Sequence, residues 1–472
     1  MTRATIFEEH SQVLAYWFGQ GAHDATLVYL DAHLDLQFID PQRIARLVAC
    51  TSAAEVAALE STHCLSPDRS ACYGIEDFLY PAAQMGLLRR VIWVAPPHVI
   101  KGGMAGALHA LQQMEGVTMD DLESFRRHPS GVIEGRLLDV DLAICLLEQL
   151  PALHLEGPLL VDIDADYFVV VPGDAVWAEP AAIVSALKQV AGVQAGVTIA
   201  RSVSSGFMPL RQRFIADHVA ALWETRLSDA QHWQRLLDLE RRPSPAGSAA
   251  VAAARPACAA SIHALALATP QRDQREALLD KAARLDPAYA DDLLRRLCQY
   301  RARRMRLDLN TLLALQREVQ AACASNGAQA VAWIALGLLF AAFERLHDAA
   351  ACDALSCADS AGHPELALEL ARLHIACGQF DAARPYLERA AGDDETRVGA
   401  WLQQGECAHA AGDHEGAGRV AAQAMHAAPA WPLVVQRMAA YAQAAGDTAR
   451  AKVLTMRQSQ LEARLVRLAR RL

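Results

Sequence analysis

Tyr29-Leu30-Asp31-Ala32-His33-Leu34-Asp35 decides how this chain is read. Leu27, Val28, Tyr29 and Leu30 form the short apolar run that ends a buried strand, and they pass directly into an aspartate, a histidine and an aspartate at positions i, i+2 and i+4. In an extended backbone alternate residues share a face. Three such side chains on one side of a strand end leave buried charge uncompensated unless a cation stands between them. A metal ion is the simplest such cation.

A second stretch repeats the pattern. Leu159-Leu160-Val161-Asp162-Ile163-Asp164-Ala165-Asp166-Tyr167-Phe168 is again an apolar run that turns into alternating aspartates. Either stretch alone reads as a strand end with solvated or capping carboxylates. Together they argue for one metal centre supplied by two strands.

Asp31-Ala32-His33-Leu34-Asp35 resembles the Asp-Ala-His-x-Asp motif of the arginase and histone-deacetylase superfamily, and Asp162-Ile163-Asp164 resembles its later Asp-x-Asp strand. Glu9-His10-Ser11 lies where that superfamily carries a His-Ser pair. Ile75-Glu76-Asp77-Phe78-Leu79-Tyr80-Pro81, Val91-Ile92-Trp93-Val94 and Thr198-Ile199-Ala200-Arg201-Ser202 are similar to a divergent branch that includes peptide arginases, which convert arginine to ornithine within ribosomally made peptides. The resemblance covers roughly residues 1–225. It implies a three-layer α/β domain with a mainly parallel sheet.

The implied ligands are His10, Asp31, His33, Asp35, Asp162 and Asp164. So much oxygen suits a pair of Mn²⁺ ions better than one structural zinc. By resemblance Asp31 and Asp162 bridge the ions, His10 and Asp35 complete one, and His33 and Asp164 complete the other. Two close cations acidify a shared water for attack on a guanidinium carbon, releasing urea, and Asp35 would orient that water and pass its proton. Asp166 has no counterpart and is expected to hydrogen-bond to the ligands rather than bind metal. Arg201 falls where arginases place a guanidinium-binding glutamate, so Glu76 or Asp77 is expected to hold the substrate cation instead. Tyr167-Phe168 replaces the Asp-Pro that commonly follows the second motif.

Composition sets the bounds. The chain has 472 residues, 53% of them hydrophobic, and no apolar run long enough to span a bilayer. The opening residues lack a signal-peptide pattern, and eleven cysteines are scattered without a Cys-x-x-Cys pair. A cytoplasmic setting is expected. The net charge of −10, with no basic block on the first half, argues against nucleic acid and suits a cationic substrate. No membrane association is indicated.

Along the chain, helices are expected over residues 11–20, 41–59, 82–89, 138–150 and 181–191, with strands at 91–94 and 196–200. Alternating strands and helices indicate a mainly parallel sheet covered on both faces. Residues 101–104, Lys-Gly-Gly-Met, suggest a flexible loop, and His63 reads as a surface loop residue. Residues 241–248 read as a linker between a metallohydrolase domain (1–240) and an all-α domain (241–472).

In that second half Gly378, Gly412 and Gly446 recur at a 34-residue spacing, and Trp401, Gly405, Ala417, Ala424 and Pro429 fit a tetratricopeptide-like repeat. Trp333, Gly337, Glu344 and Ala349 fit the same frame, residues 262–320 read as degenerate repeats, and arginines collect toward Leu472 as in a terminal cap. Such helices hold an extended peptide, dimerise the chain or cover an apolar sheet face. The expected partner is an arginine-containing precursor peptide, with homo-oligomerisation beside it. The competing readings are a zinc-dependent deacetylase of the same fold, a free-arginine arginase and a non-catalytic repeat scaffold.

Overall fold

The structure is a computed structural model that describes residues 3–61, 63–66, 70–100, 111–171, 173–191, 196–326, 330–342 and 362–472. The expected loop at 101–104, together with Glu344 and Ala349, lies outside these residues. At its centre is an eight-stranded sheet in the order β1-β10-β7-β2-β3-β6-β5-β4. The strands are β1 (Ala4–Phe7), β2 (Ala25–Leu30), β3 (Leu88–Val94), β4 (Arg126–Arg127), β5 (Ile133–Leu137), β6 (Val140–Cys145), β7 (Leu159–Asp164) and β10 (Val197–Ala200). From β1 to β6 every neighbouring pair is parallel, and β5 and β4 add an antiparallel edge. A separate hairpin pairs β8 (Val169–Val170) with β9 (Ala175–Val176).

All six residues of β2 are buried, as a central strand covered on both faces requires. One face packs under Val13, Leu14, Trp17, Phe78 and Leu79, the other under Ile183, Leu187, Phe214, Ile215 and Val219. The helix expected over 11–20 is a 3-10 turn, His10–Gln12, followed by Val13–Gly19.

Several expectations need correction. Residues 41–59 form two helices, Pro41–Val48 and Ala53–Ala57, each started by a side-chain cap, from Asp40 and Ser52. The helix expected over 82–89 is Leu79–Gln84, because Leu88 already belongs to β3. Residues 138–150 are not a helix. Leu138 and Asp139 both have positive φ, +49° and +65°, and turn β5 into β6 as a tight hairpin. His63 is not a surface residue: it sits half-buried with Cys64 and Cys298 each 3.6 Å from a ring nitrogen, and burial and the Arg301 charge push it down to about 4.

Residues 241–248 are not a linker either. Helix Leu227–Arg241 gives way at Ser244, which caps the next helix, Pro245–Ala254. The apolar core runs across this position, with Leu236, Leu237, Val251, Ala252 and Ile262 in one cluster with sheet residues Val28 and Ile163.

Beyond it the chain is helical. Gly378, Gly412 and Gly446 turn at φ +71°, +81° and +81° between paired helices, where a side chain would strain the backbone. Ala417 and Ala424 are buried, and a Cβ on Gly405 would meet the Tyr441 hydroxyl at 3.1 Å, so small residues set how closely these helices approach. The last helix, Thr448–Arg471, does not cap the array toward solvent. Leu454, Leu461 and Leu468 join the core that covers the sheet, and Arg464 grips the Glu123 carboxylate at 2.7 and 2.8 Å. Among the described residues no helix is long and apolar enough to cross a membrane.

Candidate metal centre

The parallel arrangement sets up the site. β1, β10, β7 and β2 lie side by side and end at the same edge, where open α/β sheets place their ligands. His10 opens the 3-10 turn after β1, Asp31 follows β2, Asp164 ends β7 and Ser202 follows β10. The register pairs Leu30 with Ile163 and Ala200 with Asp164, so Asp31 and Asp164 leave the sheet at the same level.

These side chains converge. His10 Nδ1 lies 2.9 Å from Asp31 Oδ2, 3.1 Å from Asp164 Oδ2 and 3.4 Å from Asp35 Oδ2. It is fully buried, yet none of these oxygens meets it with hydrogen-bond geometry. On the other side of Asp31, His33 Nδ1 stands 3.6 Å from Asp31 Oδ1 and 3.0 Å from Asp166 Oδ2. Within each of the triples His10/Asp31/Asp164 and Asp31/His33/Asp166 the donor atoms all fall within 4.8 Å of one another, close enough to share one ion. Asp31 belongs to both.

The geometry departs from the expected ligand arrangement at β7. Asp162 was expected as a bridge and Asp164 as the companion of His33. Instead Asp162 Oδ2 meets His10 Nε2 at 2.6 Å, on the ring edge facing away from Asp31, and Asp162 also accepts the Thr198 hydroxyl. Asp164 sides with His10 and Asp166 with His33. A strand repeats every two residues, so Asp162 and Asp164 share a face but lie about 6.6 Å apart along it. The 3-10 turn Ala165–Phe168 then brings Asp166 to the rim, its N–H donating to Asp164 Oδ1 at 2.9 Å.

Two further residues hold the oxygens in place, and sequence reading passed over both. The Tyr29 hydroxyl reaches Asp31 Oδ2 at 2.5 Å and Asp35 Oδ2 at 2.7 Å, and Ser202 Oγ reaches Asp164 Oδ2 at 2.5 Å. Tyr29 had a signal, since it precedes Asp31 by two and shares its face.

The electrostatics fit a missing cation. Burial works to raise the Asp31 carboxyl, but hydrogen bonds from His10 and His33 hold it well below the usual carboxylate range. Burial and the Asp31 charge push Asp35 up to about 7. Burial also lifts Asp166 well above its usual value, with Asp164 and Asp31 adding to it. His10 keeps its proton against burial because Asp162 and Asp164 flank it. This many buried acids can stay ionised together only around positive charge, and the donor set of imidazoles and carboxylates suits a divalent ion. Asp35 has φ +42°, a left-handed conformation costing on the order of 1–3 kcal/mol, of the kind found where a site dictates the backbone.

The two substrate-binding candidates separate. Asp77 is engaged, accepting Gly74 N–H at 2.7 Å and facing Arg43 at 3.7 Å. Glu76 has only Gln37 Nε2 at 3.4 Å and lines a cavity of about 900 Å³ beside the centre. Arg201 pairs with Asp217 at 2.8 Å. No family model matches the chain, and no curated protein matches it significantly.

Proposed function

We propose that the chain is a binuclear metal hydrolase of the arginase and deacetylase superfamily, acting on arginine side chains of a peptide in the cytoplasm and releasing urea and ornithine. One observation carries the reading: Asp31 is shared by two ligand triples, one around His10 and one around His33. A single-ion deacetylase has no use for the second triple, and an oxygen-rich donor set favours Mn²⁺ over zinc.

His10, Asp31, Asp35 and Asp164 would hold one ion, and Asp31, His33 and Asp166 the other. A pair of divalent cations would supply acidified water at neutral pH and neutralise the carboxylates around it. The chain's own groups do the rest. Asp162 fixes the His10 ring so that Nδ1 faces the ions, the role that carboxylates behind ligand histidines play elsewhere. Tyr29 holds Asp31 and Asp35 in register through one hydroxyl. Asp35 can take a proton from the attacking water and give it to the departing amine. Glu76, on the cavity wall two residues beyond the helix-side loop that carries Gly74, offers the carboxylate a guanidinium needs.

The glycine-turned helix pairs of the second half support a tetratricopeptide-like array, and their place against the sheet supports a role in completing the substrate cavity. The test is a urea assay on Mn²⁺-loaded protein with blocked arginine peptides, free arginine and acetyl-lysine peptides. Urea from the arginine peptides supports the reading, while acetate from the acetyl-lysine peptides in its place overturns it.

A further inference from the structure

The cavity beside the metal centre is built from both halves of the chain. Gln37, Tyr73 and Glu76 form one wall, and Arg301, Glu365 and Glu395 form another. It continues from the centre, because Gln37 lies two residues beyond Asp35 and the Asp35 carbonyl accepts Leu79 N–H at 3.2 Å. Glu76 is near enough to feel the His33 charge.

Most charges on these walls are already matched. Both Glu365 oxygens meet Arg301 Nη2 at 2.6 Å. Asp394 takes Arg43 at 3.0 Å and Arg397 at 2.5 Å, and Glu115 takes Arg397 at 3.1 Å. Two carboxylates have no such cation. Glu76 has only the weak contact with Gln37. Glu395 lies deep between the two halves with its side chain wetted by the cavity, and among the described residues no donor reaches its carboxylate. Its surroundings are acidic: burial first, then the charges of Glu76, Asp77, Asp393 and Glu365, lift it well above the usual carboxylate range.

Glu395 is also held where it is. Its neighbour Asp394 is buried and accepts the Asp40 N–H at 2.8 Å, besides Arg43 and Arg397, so the turn before helix Arg397–Ala410 is pinned to the residues that follow the metal motif. A carboxylate fixed in a deep cavity beside another carboxylate is costly unless the cavity receives positive charge. A metal ion does not fit that need. The described donor groups compact enough for one are the two at the centre, and neither includes Glu76 or Glu395. A cavity of about 900 Å³ is of the size that takes an organic ligand.

We infer that this cavity takes the cationic side chain of a peptide, a guanidinium or ammonium, between Glu76 of the α/β half and Glu395 of the helical half, so that the helical half supplies part of the substrate site. The inference deepens the hydrolase reading and rests on it for the peptide, but not for the charge. The neutral twins of the two side chains, citrulline and acetyl-lysine, would leave both carboxylates unmatched and bind more weakly.

The test is calorimetric titration of the full, Mn²⁺-loaded chain with blocked tripeptides carrying lysine, arginine, acetyl-lysine or citrulline. Lysine is the cleanest probe because no urea-releasing chemistry consumes it. The lysine and arginine peptides should bind at least tenfold more tightly than their neutral twins. Glu395→Gln and Glu76→Gln should each remove most of that preference without changing Mn²⁺ content. Equal affinity for charged and neutral twins, or a preference that survives in both variants, overturns the site. A preference that is present and sensitive to Glu395 in a protein that releases no urea upholds the cation site and discards the arginase reading alone.

Discussion

His10 Nε2 meets Asp162 Oδ2 at 2.6 Å while Nδ1 of the same ring faces Asp31, Asp35 and Asp164. The two edges of one imidazole thus divide the aspartates of β7 into a residue that aims the ring and a residue that stands at the ions. Loss of a carboxylate that orients a ligand histidine typically costs ten- to a hundredfold in metal affinity rather than the site itself. Asp162→Asn should therefore still fill with two ions at high Mn²⁺ but release one far more readily on dialysis, whereas Asp164→Ala should fail to fill at any concentration. Equal retention by the two variants would place Asp162 among the ligands.

Asp166 stands with His33 and not with His10. Asp166→Ala should lower the metal content from two ions toward one and reduce turnover at least about a hundredfold, the scale of removing a partner from a buried charged cluster. Metal analysis of the desalted variant checks it, and retention of both ions would return Asp166 to a hydrogen-bonding role.

The two halves share their apolar core. Leu454, Leu461 and Leu468 of the last helix lie in one cluster with Trp17 and Phe78, and Val251 and Ile262 lie in another with Val28 and Ile163. Ending the chain after Arg242 exposes both faces, and each large side chain uncovered costs about 1.5–3 kcal/mol. The shortened chain should be insoluble or bind a hydrophobic dye while the full chain does not. A soluble, cooperatively folding product would show that the first half stands alone.

Gly206 has φ +89°, and a Cβ there would sit 2.5 Å from the Cys298 carbonyl carbon, where helix Leu293–Ala302 crosses the loop after β10. The obstacle is backbone and cannot swing aside. Gly206→Ala should lower stability by about 2 kcal/mol or more, read as a fall in thermal midpoint. An unchanged midpoint would mean that this helix is free to move off the loop.

His218 and His263 are buried and are each pushed down to about 4, by burial first and, for His263, by the nearby Arg295 and Arg211. In the unfolded chain each titrates near the usual 6.5, so between pH 6.5 and 4 the unfolded state binds more protons. Stability is full above that window and falls as the pH drops through it, by about 2 kcal/mol per histidine at pH 5. Denaturant unfolding at pH 7 and pH 5 measures the loss. His263→Phe should shrink it by about half of the two-histidine amount, and an undiminished loss would trace the acid sensitivity to other groups.

Much of the site was legible because its residues sit at strand ends, where the two-residue period puts chemistry and fold in the same pattern. Asp31, His33 and Asp164 follow apolar runs that name β2 and β7 outright. The division of labour between Asp162 and Asp164 was not legible, since residues two apart on a strand share a face and only the depth of His10 decides which one it meets. The β5–β6 hairpin was missed because Leu138-Asp139 turns with positive φ at both positions but lacks the Asn-Gly or Asp-Gly pair that signals such a turn. The apparent linker failed for a different reason. Ser244 and Pro245 are equally the cap and first residue of a helix, and burial of Val251 is a tertiary fact. Glu395 could not be tied to Glu76 from sequence, because their proximity depends on how the helical half folds back across the sheet.

The measurement that bears most directly on the central claim is the metal content of the purified chain saturated with Mn²⁺ and of Asp31→Ala treated alike. Two ions per chain in the first and none held in the second is the predicted result, since Asp31 is common to both triples. One ion in the parent chain, or one ion kept by the variant, would contradict a binuclear centre joined through Asp31.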